Sequence, residues 1–431
     1  MTLSPDAARA IIDAVAANFG AQTAMLADFV RIPSLRFCEG PAQDFMAAAL
    51  RARGYEVDDW KIELSDLESL PGFGPIEGDF SRARTVVGTH RPATVKGRSL
   101  IVQGHCDVVP EGPHDMWSTP PFDPVIKDGW MHGRGAGDMK SGTIAALFAL
   151  DALRSAGFEP AANVHFQSVI EEESTGLGAL STLQRGYRAD CALIPEPTSH
   201  TLIRSQVGVI WFKLRVRGKP AHVGNAGDGS NAIMAAYDMI RALQGLEATW
   251  NARAKDDPWY GDAAHPLNFN PGKIVGGDWA SSVPSWCDVD CRIGILPGQD
   301  IDAAKAEIEA CVAGAARGHG FLSNSPPQVI WNGFQAEGWV LKDADEAEAV
   351  FAEAFADVFG TGKVPRDRAM TALTDTRFYG LYYNIPALCF GAKSDAIHGF
   401  DERVELASLQ RVTETMALFI ARWCGLNPIQ A

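Results

Sequence analysis

The chain has no CxxC pair, no run of lysine or arginine, no internal repeat and no low-complexity segment. Each absence narrows the field. The eight cysteines sit mostly inside apolar or strand-like runs, which reads as buried, reduced thiols in a cytoplasmic protein. Cys287 and Cys291 come nearest to a metal clip. On one face of a strand they would lie about 13 Å apart, too far to share an ion. Positive charge is short: 38 Lys and Arg against 53 Asp and Glu give a formal net charge of −15. That disfavours nucleic acid and an anionic membrane as partners. No stretch approaches the roughly 18 consecutive apolar residues of a membrane span. Met1 to Val30 lacks the basic start and unbroken apolar stretch of a secretory leader, being interrupted by Asp6, Asp13 and Asp28. It reads as a helix with Ser4 as N-cap and Pro5 at the first helical position; Ile11, Ile12, Val15 and Phe19 share one face.

At 431 residues, 46% apolar and 21% charged, the chain is globular and long enough for two or three domains. From about residue 98 to 205 it alternates strand and helix: Leu100–Cys106, Ser141–Ala156, Asn163–Ile170, Gly178–Arg185, Cys191–Ile194. This is the grammar of a mostly parallel sheet covered on both faces. The middle changes style. Strands at Val209–Val216, Gly272–Val275 and Cys287–Ile293, with a short segment at Val329–Asn332, alternate with helices at Asn231–Leu246 and Ile301–Ala316. A helix at Glu346–Phe359 and a strand at Ala387–Phe390 then resume the first style. The expected fold class is therefore α/β, with 1–206 and 334–431 building one domain and 207–333 an inserted α+β module.

Five polar clusters follow this pattern. His105 and Asp107 end the first strand, Glu171-Glu172-Glu173 the next, and Glu196, between Pro195 and Pro197, the third. His398 follows the last strand, and Asp138 closes a glycine-rich stretch just before a helix. Ligands of open α/β sheets bind beyond the carboxyl ends of the strands. Imidazole and carboxylate there suit zinc and its first-row neighbours. Singly, each cluster has a plainer reading: a buried His–Asp hydrogen bond, a helix cap, a solvated acidic turn. Jointly they predict a two-metal hydrolase site. Asp107 is placed to support a ligand histidine, while Glu173 as ligand and Glu172 as general base divide the labour of their turn. Three ligand carboxylates and one hydroxide would balance two divalent ions.

The stretches Gly104-His105-Cys106-Asp107-Val108-Val109-Pro110, Gly133 to Gly142 and Glu171-Glu172-Glu173 resemble the M20 metallopeptidase and deacylase family. That family includes acetylornithine deacetylase, succinyl-diaminopimelate desuccinylase, aminoacylases and glutamate carboxypeptidases. Arg31-Ile32-Pro33-Ser34, Glu196-Pro197-Thr198 and Thr374-Asp375-Thr376-Arg377-Phe378 support the resemblance. It implies a zinc-peptidase-like catalytic domain with a mostly parallel mixed sheet and an inserted ferredoxin-like lid that also makes a homodimer. It implies two divalent metal ions, zinc first, with cobalt and manganese open. His105, Asp138 and Glu196 would hold one ion; Asp138, Glu173 and His398 the other. Glu172 would be the base and Asp107 the orienting acid, and His222 would act in a neighbouring subunit's site. Arg292 and Arg377 are candidates for a substrate carboxylate. Two departures stand out: Glu171 replaces the usual Asp, and Ala280-Ser281-Ser282-Val283-Pro284 lacks the Asn of the usual lid motif. The expected activity is cleavage of a small N-acyl amino acid or N-acylated amine. A dipeptidase or carboxypeptidase, an aminopyrimidine deformylase and a catalytically dead binding protein are the rivals.

Overall fold

The computed structural model describes residues 3–429. Ten strands build the two sheets that place the site: β1 (Glu56–Lys61), β2 (Arg84–His90), β3 (Leu100–His105), β4 (Val164–Val169), β5 (Cys191–Ile194), β6 (Gly208–Arg217), β7 (Phe269–Gly276), β8 (Trp286–Ile295), β9 (Gln328–Ala336) and β10 (Ala387–Cys389). The helices are α1 (Pro5–Val30), α2 (Gly40–Ala52), α3 (Lys140–Ser155), α4 (Leu177–Gln184), α5 (Ala232–Arg253), α6 (Ile301–Arg317), α7 (Asp345–Phe359), α8 (Thr376–Tyr383) and α9 (Leu406–Cys424).

The main sheet has the order β1-β2-β4-β3-β5-β10. The pairs β4–β3, β3–β5 and β5–β10 are parallel, and β2 runs against both of its neighbours. Helices cover both faces. Gly104 lies against Thr143 of α3, while the adjacent Gln103 side chain meets Tyr379 of α8. Successive strand residues point to opposite faces. Because neither face meets water, β3, β4 and β5 are buried along their whole length and read as continuous runs rather than alternating ones.

α1 starts as the sequence predicts, with the Ser4 hydroxyl accepting the Ala7 N–H. By length and composition α1 is apolar enough to cross a bilayer, a result the residue-by-residue count did not anticipate. It packs on α3 and α9, and Gln22 Nε2 donates to Thr413 Oγ1 at 2.9 Å.

The second sheet, β7-β8-β6-β9, is antiparallel throughout and has its own core with α5 and α6. Asn231 and Asp300 cap those helices through their side chains. Several elements were not read from the sequence, α2, α8, α9 and β1 among them, and others differ from it. α5 runs on to Arg253, the short segment near residue 330 is the full strand β9, and β2 lies inside 66–90, which reads as a loop. β2 is buried from Thr85 to His90, so no solvent face marks it in the sequence.

Candidate metal centre

The parallel strands bring their carboxyl ends to one edge. β3 ends on His105, β4 runs into Glu171–Glu173, β5 into Glu196, and the chain after β10 loops to His398. Asp138 arrives from the turn preceding α3, and its peptide bond to Met139 is cis. Two glycines set the closeness of these segments. A Cβ on Gly142 would collide with the Pro195 carbonyl, and one on Gly391 with the Glu196 carbonyl. Glu171, Ala396 and His398 hold left-handed φ values of 64°, 54° and 62°. Such non-glycine strain, about 1–3 kcal/mol each, gathers where a site demands it.

Asp138 stands at the centre. Its Oδ1 lies 3.2 Å from His105 Nε2 and its Oδ2 lies 3.6 Å from His398 Nε2. His105 Nε2 is also 3.9 Å from Glu172 Oε2 and 3.9 Å from Glu196 Oε2. His398 Nε2 is 3.0 Å from Glu173 Oε2. Two donor sets, His105–Asp138–Glu173 and His105–Glu172–Glu196, have ligand atoms all within 4.8 Å of one another. On its far side His105 Nδ1 sits 2.9 Å from the Asp107 carbonyl and 3.5 Å from Asp107 Oδ1. Donation there leaves the Nε2 lone pair facing the cluster. Asp107 Oδ2 accepts the Glu173 N–H at 3.2 Å, so Asp107 braces two neighbours at once.

The electrostatics call for cations. Burial, followed by the charge of Glu196, pushes Glu172 well above the usual carboxylate range. Burial also drives Glu196 well up, and burial with Asp138's charge raises Glu173. Burial opposes charge on both histidines but is outweighed: Asp107 and Asp138 hold His105 well above its usual value, and Glu173 and Asp138 push His398 up to about 11. Asp138 is held well below the usual range because hydrogen bonds and charge from the two histidines overcome its burial. Glu196 Oε1 and Asp107 Oδ1 are buried with no hydrogen-bond partner. The unsatisfied Glu196 acceptor, on the side of the His105 Nε2 lone pair, fits a divalent cation well.

Sequence reasoning missed the groups that brace this set. Glu171 is not a third free acid: Arg36 Nε and Nη2 grip it at 2.6 and 2.8 Å. Glu402 Oε1 accepts the N–H groups of Gly137 and Asp138 at 2.9 and 3.0 Å, while its Oε2 pairs with Arg134 Nη1 at 2.5 Å. Arg134 Nη2 reaches the Gly399 carbonyl at 3.0 Å, beside His398. Asp375 is pushed up to about 7, chiefly by burial, and accepts from Gln103 Nε2 at 2.7 Å. Arg134 lies within a quoted motif and Glu402 four residues after His398, which was the available signal.

The remaining candidates lie elsewhere in the chain. His222 is on the exposed tip of the second module, its Nδ1 accepting the Gly224 N–H at 3.0 Å, with no recorded contact to the cluster. Arg377 is only 1% exposed and donates to the Thr175 carbonyl at 3.1 Å. Arg292 lines a separate cleft of about 270 Å³ with Arg36, Trp211 and Asn332. The cavity over the cluster, about 330 Å³, is lined by Asp138, Glu172, Glu173 and Glu196 and also by Arg368 and Thr371.

Residues 101–422 match the model of peptidase family M20/M25/M40. The chain is 28% identical over 403 residues to an N-formyl-4-amino-5-aminomethyl-2-methylpyrimidine deformylase of Halalkalibacterium halodurans, covering 90% of each chain. It is 26% identical over 408 residues to succinyl-diaminopimelate desuccinylase 2 of Shewanella loihica, covering 92% of this chain and 98% of that one. Among solved structures it superposes on a di-peptidase of Saccharomyces cerevisiae with a TM-score of 0.80 at 17% identity, over 97% of this chain and 98% of that one. The chain belongs to peptidase family M20/M25/M40.

Proposed function

We propose that this member of peptidase family M20/M25/M40 is a dinuclear metal-dependent amidohydrolase that cleaves a small N-acyl amino acid or N-acylated amine. One observation carries the reading: the two oxygens of Asp138 face the Nε2 atoms of two histidines, 3.2 and 3.6 Å away, as a bridging carboxylate must. His105, Asp138 and Glu196 would hold one divalent ion, and Asp138, Glu173 and His398 the other. Zinc suits this donor set, with cobalt or manganese the other candidates. When bound, such ions polarise an amide carbonyl and acidify a water. Glu172, buried at the cavity wall, takes a proton from the attacking water and returns it to the leaving nitrogen. Asp107 fixes the His105 ring through the Nδ1 side, and Arg36 removes Glu171 from competition for cations.

The second module supplies what one chain lacks. We propose that it forms a homodimer and delivers His222 to the partner's cavity, where it stabilises the oxyanion of the tetrahedral species. Exposed apolar residues support this: Met234 and Tyr237 on α5 and Ile274 and Val275 on β7, each 46–60% exposed, the latter two on an open sheet edge. Arg292 makes no recorded hydrogen bond or ion pair and is placed to approach a substrate if the modules close. Free thiols throughout support a cytoplasmic setting.

The deformylase relative favours a second reading within the same chemistry, a formamide of an aminomethylpyrimidine. Hydrolysis of N-acetyl, N-formyl and N-succinyl substrates by chelated and metal-restored protein tests both. Metal-dependent release of free amine is expected, and the best acyl group chooses between them. No turnover of any amide after metal is restored overturns the proposal.

A further inference from the structure

We infer that Arg368 is the residue that selects a carboxylate-bearing substrate, holding that carboxylate across the cavity from the metal centre. The inference rests on the amidohydrolase reading and deepens it. Neither arginine expected to grip a carboxylate lines the 330 Å³ cavity, since Arg377 is enclosed in the core and Arg292 faces another cleft, whereas Arg368 does. Arg368 is the one lysine or arginine among the lining residues and lines the cavity together with four carboxylates. Among the described residues it has no ion-pair or hydrogen-bond partner, so its five donors are uncommitted within the protein.

The backbone explains why it points there. Arg368 lies on the strand Arg366–Met370, parallel to Thr201–Gln206, and the register slips between Arg368 and Ala369. Irregularities of this kind re-aim side chains next to active sites. Both Arg368 and Met370 line the cavity, followed by Thr371, whose hydroxyl is also without a recorded partner. Of the neighbouring lining residues, Met370, Ala372 and Leu373 are apolar, and the Thr374 hydroxyl is already bonded to Gln206 and Thr376. Once cations neutralise the acidic cluster, a planar guanidinium lining the same cavity is a fork for a substrate carboxylate.

Calorimetric titration of metal-loaded Glu172→Gln protein, alone and with Arg368→Ala or Arg368→Lys, tests this without needing turnover. The probes are N-acetyl-L-alanine, its neutral amide, and N-succinyl-L-alaninamide, which moves the carboxylate to the acyl side. The anionic probe that fits should lose about 10- to 100-fold in affinity in Arg368→Ala, the usual worth of a charge-assisted pair. The neutral amide should bind unchanged, and Arg368→Lys should keep part of the preference. In the active protein, Arg368→Ala should raise KM for the same anion and spare kcat. Equal losses for anionic and neutral probes, or no loss for either anion, overturn the inference. Failure of the amidohydrolase reading appears separately, as absence of turnover in the wild-type protein.

Discussion

Glu402→Gln should loosen the metal centre without touching a ligand. The change is nearly isosteric, and the new amide oxygen can still accept the Gly137 and Asp138 N–H groups now held at 2.9 and 3.0 Å. The new NH2, however, would face Arg134 Nη1, a donor at present 2.5 Å from a carboxylate oxygen. Arg134 is 2% exposed and Glu402 is fully buried, so the orphaned guanidinium cannot turn to water. Breaking a buried pair this way typically costs about 3–5 kcal/mol. The retained N–H bonds argue for the low end, about 3 kcal/mol, or roughly 100-fold in the folding equilibrium. Because Arg134 also holds Gly399, the turns carrying Asp138 and His398 both lose their brace. Supporting groups of this kind are worth about 10–100-fold in metal affinity. Urea unfolding of metal-free protein and calorimetric metal titration read the two effects. The double variant Arg134→Met with Glu402→Gln should cost less than the sum of its parts, since it removes the stranded charge. Stability within about 0.5 kcal/mol of wild type, a size usual for substitutions away from such features, together with unchanged metal affinity, would refute the reasoning.

Other outcomes follow from the same geometry. Glu172→Gln should keep both metal sites while turnover falls by at least the 10²–10⁴-fold typical of a general base; near-normal turnover would remove Glu172 from that role. His222→Ala should abolish turnover at unchanged metal content, and mixing it with Glu172→Gln should restore part of the activity if the histidine crosses between subunits; no rescue argues against sharing. His165 provides a pH test remote from the metals. Burial, then the charge of Arg91, pulls it down to about 4, below its unfolded value of about 6.5. The unfolded chain therefore binds the proton first: the contribution is complete above about pH 6.5 and is lost as pH falls towards 4, by up to about 3 kcal/mol. Thermal unfolding between pH 7 and 4 should show a shallower decline in His165→Gln, and identical slopes would contradict the assignment.

Much of the site was legible because the fold puts sequence order to work. His105, Glu173, Glu196 and His398 each follow a parallel strand, so the apolar run before each one announced where it would sit. Asp138 was marked by glycines whose crowding against Pro195 the structure makes explicit. What stayed hidden is pairwise and distant. Nothing local shows that Arg36 will neutralise Glu171 across 135 positions, or that Glu402 will hold the Asp138 turn across 264. Glu172 and Glu173 had separate roles in the sequence reading, but nothing there gave a partner to Glu171, which the structure pairs with Arg36. Arg377 sat in a quoted motif and reads as a substrate contact until its burial is seen; Arg368, nine positions earlier, carries no motif and lines the cavity. β2 was missed because it is buried yet holds only Val86 and Val87 as consecutive apolar residues, so neither an alternation nor a continuous apolar run marks it.

The central claim is that Asp138 bridges two metal ions. Counting divalent ions per chain by mass spectrometry, in wild type and in Asp138→Ala purified alike and dialysed against the same metal, tests it most directly. The account predicts about two ions in the wild type and the loss of at least one in the variant, because both proposed ligand sets, His105–Asp138–Glu196 and Asp138–Glu173–His398, include that carboxylate. One ion or none in the wild type, or two retained without Asp138, would contradict it.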